Sequence, residues 1–191
     1  MNEHWGWRGR PLFDLMRLMK TRRLTLRAIS PSDAATIAAL GGDWDVASTT
    51  GRIPYPYSPE AAQQWVTGLA EGECVFGIEH DGMLIGLCGY TLRDDGSAEI
   101  GYWLGKPHWG RGFATEAARA LVEHGFTKGG VKRFVSFHFA SNVASGRVLK
   151  KLGFRATGEQ MGWCEARQQD LPTLAYERKR PIVAVIKALA S

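Results

Sequence analysis

The segment between residues 97 and 117 constrains the fold most, because a strand-like pattern there gives way to a helical one. A strand pattern ends near Leu104, and alanines at helical spacing follow Phe113. Three glycines, Gly105, Gly110 and Gly112, lie between the two patterns. Glycine permits tight turns and close backbone approach, and a helix start offers unpaired N–H groups at the positive end of its dipole. The segment therefore predicts a phosphate-binding loop.

Two familiar phosphate loops do not fit this segment. A P-loop has Lys and then Ser or Thr after its last glycine, whereas Phe113 and Ala114 follow Gly112. The dinucleotide fingerprint has glycine at the position of Thr115. Taken alone, the segment is also compatible with a turn that only packs a helix on a strand.

The surrounding pattern predicts an α+β fold. Ser-Pro pairs at Ser30 and Ser58 mark helix starts, and Asp81-Gly82 marks a hairpin. The expected strands are 21–28, 74–80, 83–91, 97–104, 131–139, 154–164 and 171–179, and the expected helices begin at residues 30, 58, 113 and 142 and end near residues 41, 70, 126 and 152. Residues 43–57 are expected to form a loop.

Composition narrows the class of protein. The 191 residues suit one domain over residues 21–180, with an N-terminal arm over 1–20 and a C-terminal tail over 181–191. The net charge of +5 is spread out, which favours an anionic small molecule over nucleic acid. Three scattered cysteines predict neither a disulfide nor a metal site and favour a reducing, cytoplasmic setting. We expect no membrane span.

The arm has two interpretations. Leu12, Leu15, Met16 and Met19 have helical spacing, whereas the residues before them are polar and irregular. A frayed arm or a short docked helix is one interpretation. An amphipathic contact with a partner chain or a membrane surface is the other.

A second motif, at residues 142–154, follows the next strand. Together with residues 109–114 it resembles the acetyl-CoA-binding signature of the GNAT superfamily of N-acetyltransferases. That signature reads Gln/Arg-x-x-Gly-x-Gly/Ala, and Trp109 stands at its first position. The same departure is familiar in the branch of ribosomal-protein N-terminal alanine acetyltransferases, which residues 99–104 and 114–117 also resemble.

The resemblance covers about residues 21–180 and implies a GNAT-like α+β fold. Its central sheet is mixed, largely antiparallel, flanked by helices, and splayed between strands 97–104 and 131–139. The implied activity transfers an acetyl group from acetyl-CoA to a primary amine by direct attack in a ternary complex, releasing coenzyme A. The acceptor is expected to be a protein N-terminus or a small-molecule amine, and the protein a monomer or homodimer. Alternatives are a non-catalytic acyl-CoA-binding module or sensor, and an antibiotic or polyamine acetyltransferase.

The resemblance also implies which residues hold the cofactor. The pyrophosphate would lie on N–H groups of residues 110–115, and the pantetheine arm beside the strand that ends at Trp103-Leu104. A backbone N–H near Leu104 is the implied oxyanion donor. Asn142 matches the family's pantetheine-contacting asparagine, although it can also be a helix N-cap. The predicted cofactor-binding set is Trp103, Leu104, Trp109, Gly110, Arg111, Gly112, Phe113, Ala114, Thr115, Asn142 and Arg147.

Acetyl transfer needs an acid for the departing thiolate and a base for the amine. Many family members use a tyrosine as the acid, but Leu149 occupies that position here. Ser145 is the predicted substitute, unless it is only a small residue that lets the cofactor approach. Glu99, on one strand face with Gly101 and Trp103, is the predicted base, directly or through water. Its alternative role is a solvated carboxylate or the partner of an arginine.

The acceptor site is expected between the loop 43–57 and the closing hairpin 159–173. The predicted acceptor-binding residues are Trp44, Arg52, Tyr55 and Tyr57, although aromatic side chains there can also simply pack. His108 and His138 are weaker candidates for the base, since such histidines more often only make hydrogen bonds.

Overall fold

The structure is a computed structural model that describes residues 18–70 and 72–181. One sheet of eight strands has the order β1-β2-β3-β4-β5-β6-β8-β7. The strands are β1 Met19–Lys20, β2 Thr25–Ala28, β3 Glu73–His80, β4 Met83–Leu92, β5 Ser97–Leu104, β6 Arg133–Phe139, β7 Arg155–Cys164 and β8 Gln169–Lys179. The helices are α1 Ala34–Gly41, α2 Trp44–Ala47, α3 Pro59–Thr67, α4 Phe113–Thr127 and α5 Val143–Lys151.

Strands β5 and β6 are the parallel pair of an otherwise antiparallel sheet, and they soon separate. Ser97–Glu99 pairs with Arg133–Val135, and no further pairing follows. At the point of separation, Ser136 Oγ donates a hydrogen bond of 3.0 Å to the Ile100 carbonyl oxygen. The predicted fold class and its splayed strands are therefore confirmed.

The two faces of β5 pack against different helices. Ile100 and Leu104 are buried with α4 in the main core, which includes the fully buried Phe134. Trp103 packs instead against α1 and α3 on the opposite face, together with Leu87 of β4. Truncating a fully buried phenylalanine typically costs about 3–5 kcal/mol, so the packing around Phe134 contributes substantially to the stability of the sheet.

Local sequence signals account for most element boundaries. Ser58 Oγ accepts a hydrogen bond from the Ala61 N–H at 3.2 Å and caps α3, whose first residue is Pro59. Asp81 and Gly82 have φ values of 50° and 76°, as a tight hairpin turn requires. At Ser30 a 3-10 turn, Pro31–Asp33, precedes α1.

Several boundaries differ from the sequence prediction, and strand β2 begins at Thr25 rather than at residue 21. Residues 43–57 are not only loop, because Asp43 Oδ1 accepts from the Asp45 N–H at 2.8 Å and caps α2. Helix α3 ends at Thr67 rather than near residue 70. Strand β1 pairs with β2, so the predicted arm 1–20 ends in residues of the sheet. The helical spacing of Leu12, Leu15 and Met16, and nearly all of the predicted tail, lie outside the described residues.

Three features of the described residues bear on function. None of their helices is both long and apolar enough to cross a bilayer. Cys74, Cys88 and Cys164 are all free and buried. No three side chains of His, Cys, Asp or Glu in the described ranges are grouped so as to bind a metal ion.

Candidate active site

A cleft of about 990 Å³ opens where β5 and β6 separate. Side chains from both faces of the sheet line it, so it extends through the gap between the strands. Its walls include β5, the first turns of α4 and α5, and residues 49–54. A cleft of this kind can hold an elongated ligand beside the open edge of β5.

The loop before α4 presents backbone N–H groups. Gly110 and Gly112 have φ values of 73° and 78°, which favour glycine. Gly112 is the N-cap and supplies no side-chain cap, so the first N–H groups of α4 keep no partner within the helix. A Cβ atom on Gly110 would meet nothing within 4 Å. The open loop and the helix dipole together fit a phosphate group.

The end of β5 offers a second set of backbone donors. The Gly105 N–H donates to the Ile85 carbonyl oxygen on β4 at 2.9 Å. Because backbone groups alternate in direction along a strand, the Leu104 N–H points the other way, toward the gap. Trp109 Nε1 donates to the Leu104 carbonyl oxygen at 2.7 Å and braces this strand end. The free edge can accept an extended ligand in the manner of an added strand.

These features fit the pantetheine and pyrophosphate parts of coenzyme A. The backbone N–H groups of the loop before α4 suit the pyrophosphate, and the free edge of β5 suits the amide groups of pantetheine. Arg147 and Lys151 lie one turn apart on α5 and line the same cleft. Lys151 was not predicted from the sequence, although its spacing from Arg147 was a usable signal.

Ser145 and Tyr102 contact each other at the cleft. The Tyr102 hydroxyl oxygen lies 3.1 Å from Ser145 Oγ and donates to the Ser145 carbonyl oxygen at 3.2 Å. Burial raises the pKa of Tyr102 to about 12. Asn142 Oδ1 accepts from the Ser145 N–H at 3.1 Å, so Asn142 is the N-cap of α5 and also lines the cleft. Sequence reasoning gave Tyr102 no role, although its strand face was predictable.

Two other positions have clear structural roles. Leu149 is fully buried in the main core and does not line the cleft. His138 Nδ1 lies 2.8 Å from the Phe139 carbonyl oxygen, and its Nε2 lies 3.4 Å from the Tyr176 hydroxyl. A Cβ on Gly146 would lie 2.5 Å from His138 Nε2, so this histidine packs directly beneath α5.

Glu99 is the centre of a charged row on the other face of β5. Its Oε2 lies 2.5 Å from an Arg93 nitrogen, and its Oε1 lies 3.4 Å from an Arg52 nitrogen. Arg52 also comes within 3.9 Å of Glu73 Oε1. Glu73 pairs with Thr91, and Thr91 pairs with Glu99, so strand register aligns the two carboxylates. The arginine-partner alternative is therefore present in the structure, and the role of Glu99 as a base stays a prediction.

The cleft brings together most of the predicted site residues. It is lined by Arg52, Tyr57, Glu99, Trp103, Leu104, His108, Trp109, Gly110, Gly112, Phe113, Ala114, Thr115, His138, Asn142, Ser145 and Arg147.

Three predicted residues lie outside its lining. Trp44 and Tyr55 pack edge to face with ring centres 5.0 Å apart, and their role in binding the acceptor stays a prediction. The Arg111 guanidinium carbon lies 4.6 Å from the centre of the Phe113 ring. Arg111 therefore packs over Phe113, and its role in binding the cofactor stays a prediction.

A splayed mixed sheet with a glycine-rich loop before a helix and a free strand edge fits an acyl-CoA-dependent acyltransferase. A family profile described as "Acetyltransferase (GNAT) domain" matches residues 23–155. The chain belongs to this family, whose members use acetyl-CoA as the acetyl donor. The predictions of an N-acetyltransferase and of acetyl-CoA are confirmed at this level.

Relatives and solved structures agree with this assignment. An "Uncharacterized N-acetyltransferase p20" of Bacillus licheniformis is 32% identical over 151 residues, 75% of this chain and 85% of the relative. A "Ribosomal-protein-serine acetyltransferase" of Escherichia coli is 34% identical over 86 residues, 44% of this chain and 48% of the relative.

The solved structures show the shared fold. RimL, a ribosomal L7/L12 acetyltransferase in complex with coenzyme A, superposes with a TM-score of 0.77 at 21% identity, over 85% of this chain and 98% of RimL. MccE, a Microcin C7 self-immunity acetyltransferase in complex with acetyl-CoA and AMP, superposes with a TM-score of 0.74 at 18% identity. The superposition covers 83% of this chain and 93% of MccE.

Proposed function

We propose that the protein acetylates a primary amine by direct attack on acetyl-CoA in a ternary complex. The observation that carries this proposal is a cleft lined from both faces of the sheet, with Ser145 on one side and Glu99 on the other. An amine can approach from the Glu99 side while the cofactor occupies the loop and the edge of β5. No covalent enzyme intermediate is needed in this arrangement.

Each group of the cleft has one task in this proposal. When bound, acetyl-CoA supplies a thioester carbonyl carbon that accepts the amine nitrogen. The N–H groups of residues 110–115 hold the pyrophosphate, and the Leu104 N–H donates to the oxygen that gains negative charge. Glu99 takes the amine proton, directly or through water, and Ser145 protonates the departing thiolate. Arg52 and Tyr57 contact the acceptor.

The acceptor is a protein N-terminal amine or a small-molecule amine. Relatives named as ribosomal-protein acetyltransferases support a protein N-terminus. The carboxylates of Glu73 and Glu99 are paired with Arg52 and Arg93, so the charge at this end of the cleft does not select a cationic acceptor. Three free cysteines agree with action in the cytoplasm.

Thiol release from acetyl-CoA by the full-length protein tests the activity. Short peptides that begin with Ser or Ala are compared with the same peptides already acetylated at the N-terminus, and polyamines form a second panel. Release with free peptides alone, with the acetyl group located at the N-terminus by mass spectrometry, supports a protein acceptor. Binding of acetyl-CoA without release from any amine would favour the non-catalytic binding module.

A further inference from the structure

A carboxylate lies in the first turn of the helix that forms the phosphate loop. Glu116 Oε1 accepts hydrogen bonds from Thr21 Oγ at 2.7 Å and from the Arg23 N–H at 2.8 Å. Its Oε2 lies 2.7 Å from both the Nε and a terminal nitrogen of Arg23. The Glu116 side chain is 17% exposed. One carboxylate therefore joins the segment before β2 to helix α4.

Arg23 continues this connection into the loop itself. A terminal nitrogen of Arg23 donates to the Arg111 carbonyl oxygen at 3.0 Å. The Arg23 guanidinium carbon lies 4.6 Å from the centre of the Phe113 ring. A Cβ on Gly112 would lie 3.5 Å from the Arg23 guanidinium. Arg23 thus contacts Arg111 and Phe113 and lies beside Gly112, the residue between them.

We propose that Glu116 and Arg23 are positioning residues for the phosphate loop. Glu116 fixes the Arg23 guanidinium, and Arg23 fixes the Arg111 carbonyl, so that the next N–H groups point into the cleft. The inference rests on the proposed role of residues 110–115 in holding the pyrophosphate. Neither side chain has to touch the cofactor.

The negative charge of Glu116 allows positioning to be distinguished from a direct electrostatic effect on the cofactor, because the two predict opposite changes in affinity. A carboxylate one turn from a diphosphate repels it, so charge alone predicts that Glu116→Gln tightens coenzyme A binding. Positioning predicts weaker binding, because the amide cannot hold the guanidinium as an ion pair does. Although burial alone would raise the pKa of Glu116, its hydrogen bonds with Thr21 and Arg23 hold that pKa below the usual range. The carboxylate is therefore ionised at neutral pH.

The chain offers a matched control away from the loop. Asp33 accepts hydrogen bonds of 2.9 Å from two Arg27 nitrogens, and Arg27 Nε lies 2.6 Å from Glu79 Oε2. The Arg27 side chain is 29% exposed, close to the 34% of Arg23. Neither Asp33 nor Arg27 lines the cleft. Asp33→Asn therefore disrupts a comparable ion pair without reaching the phosphate loop.

Calorimetric titration with coenzyme A and with 3′-dephospho-coenzyme A tests the proposal. Glu116→Gln should raise the Kd for both ligands about tenfold, as expected from weakening one charged hydrogen-bonded pair. Arg23→Lys should raise it less, and Asp33→Asn should keep the wild-type Kd. Thermal unfolding without ligand shows whether each variant is folded at the titration temperature. If Glu116→Gln is unfolded at that temperature, the same titrations are made with Arg23→Lys and Thr21→Val instead.

Three outcomes would overturn the proposal. The first is a Glu116→Gln Kd that is unchanged or lower. The second is a loss that disappears with 3′-dephospho-coenzyme A, because Arg23 would then contact the 3′-phosphate directly. The third is an equal loss in Asp33→Asn, which would indicate general destabilisation. If the wild type itself binds no coenzyme A, the proposed phosphate site at residues 110–115 is wrong. If wild type and Glu116→Gln bind coenzyme A equally, the phosphate site stands and only the positioning role is wrong.

Discussion

The Tyr102 hydroxyl oxygen and Ser145 Oγ lie 3.1 Å apart and join strand β5 to the first turn of helix α5. Burial raises the pKa of Tyr102 to about 12, so its hydroxyl keeps its proton at neutral pH. Its single proton can go to the Ser145 carbonyl oxygen, at 3.2 Å, or to Ser145 Oγ, at 3.1 Å. If Ser145 gives its own proton to the departing thiolate, the Tyr102 hydroxyl can replace that proton.

Ser145→Ala tests the first hydroxyl. We expect acetyl-CoA affinity to stay within a few-fold of wild type, while turnover falls about 10²-fold, the usual scale for a general acid. Titration measures the affinity, and thiol release measures the rate. An equal loss in binding, or an unchanged rate, would reduce Ser145 to a packing role.

Tyr102→Phe tests the second hydroxyl and keeps the ring in place. The expected loss of turnover is about tenfold, since Ser145 remains and bulk water can return its proton. In the double variant with Ser145→Ala, the losses should not add, because the two side chains touch and act together. Additive losses would show that Tyr102 does not act through Ser145.

Local chemistry made much of the fold predictable. A serine followed by proline marked the start of α3, and Asp81-Gly82 marked the hairpin, because these residues satisfy backbone demands within a few positions. Helix α2 was missed because its four residues are too few to show a helical period. The splay of β5 from β6 followed from the family resemblance, since no local pattern encodes where two strands part.

The candidate site was predictable where one motif carried it. The loop from Gly110 to Thr115 is continuous in sequence, so its turn and the helix start at Phe113 could be predicted from glycine and the pattern that follows, while its binding of a phosphate stays a prediction. The contact between Tyr102 and Ser145 joins residues 43 positions apart. The bond between Arg23 and Glu116 spans 93 positions. Such pairings depend on tertiary packing, which a single sequence does not reveal.

Gly112→Val tests the phosphate loop. With φ at 78°, a β-branched residue strains the backbone by roughly 1–2 kcal/mol, and its side chain would lie against Arg23, 3.5 Å from the Cβ, so the loop N–H groups would be displaced. We expect the variant to lose the rise in Tm that acetyl-CoA gives the wild type. Gly82→Val is the matched control, because Gly82 has φ of 76° in a hairpin outside the cleft. Wild-type affinity in Gly112→Val would refute the loop assignment.

His124 should make the protein less stable in mild acid. Burial, and then Lys128, lower the pKa of His124 below its ordinary value of about 6.5. The unfolded chain then binds more protons, so the free energy of unfolding falls as pH drops from about 7 toward 5, by at most about 1.4 kcal/mol per pH unit. His124→Gln should reduce this slope in denaturant unfolding at several pH values. The same slope in both proteins would assign the effect to another group, such as His108, whose pKa burial also lowers.

Glu99→Gln tests the proposed base while keeping the shape of the side chain. If Glu99 takes the amine proton, the rate at neutral pH should fall about 10²–10⁴-fold. Glu73→Gln is the control, because Glu73 also approaches Arg52, at 3.9 Å, but is not the proposed base. A comparable loss in both variants would indicate that the position of Arg52, rather than proton transfer, limits the rate.

The pH profile of Glu99→Gln completes that test. The acidic limb of kcat/KM reports both the base of the free enzyme and the pKa of the free amine. An acceptor with a high pKa imposes its own limb, which the variant would keep, so two acceptors of different pKa are required. With the acceptor of lower pKa, the variant should lose the limb that belongs to the enzyme. If it keeps wild-type rates with both acceptors, Glu99 only pairs with Arg93 and Arg52, and the amine proton goes to water or to another group.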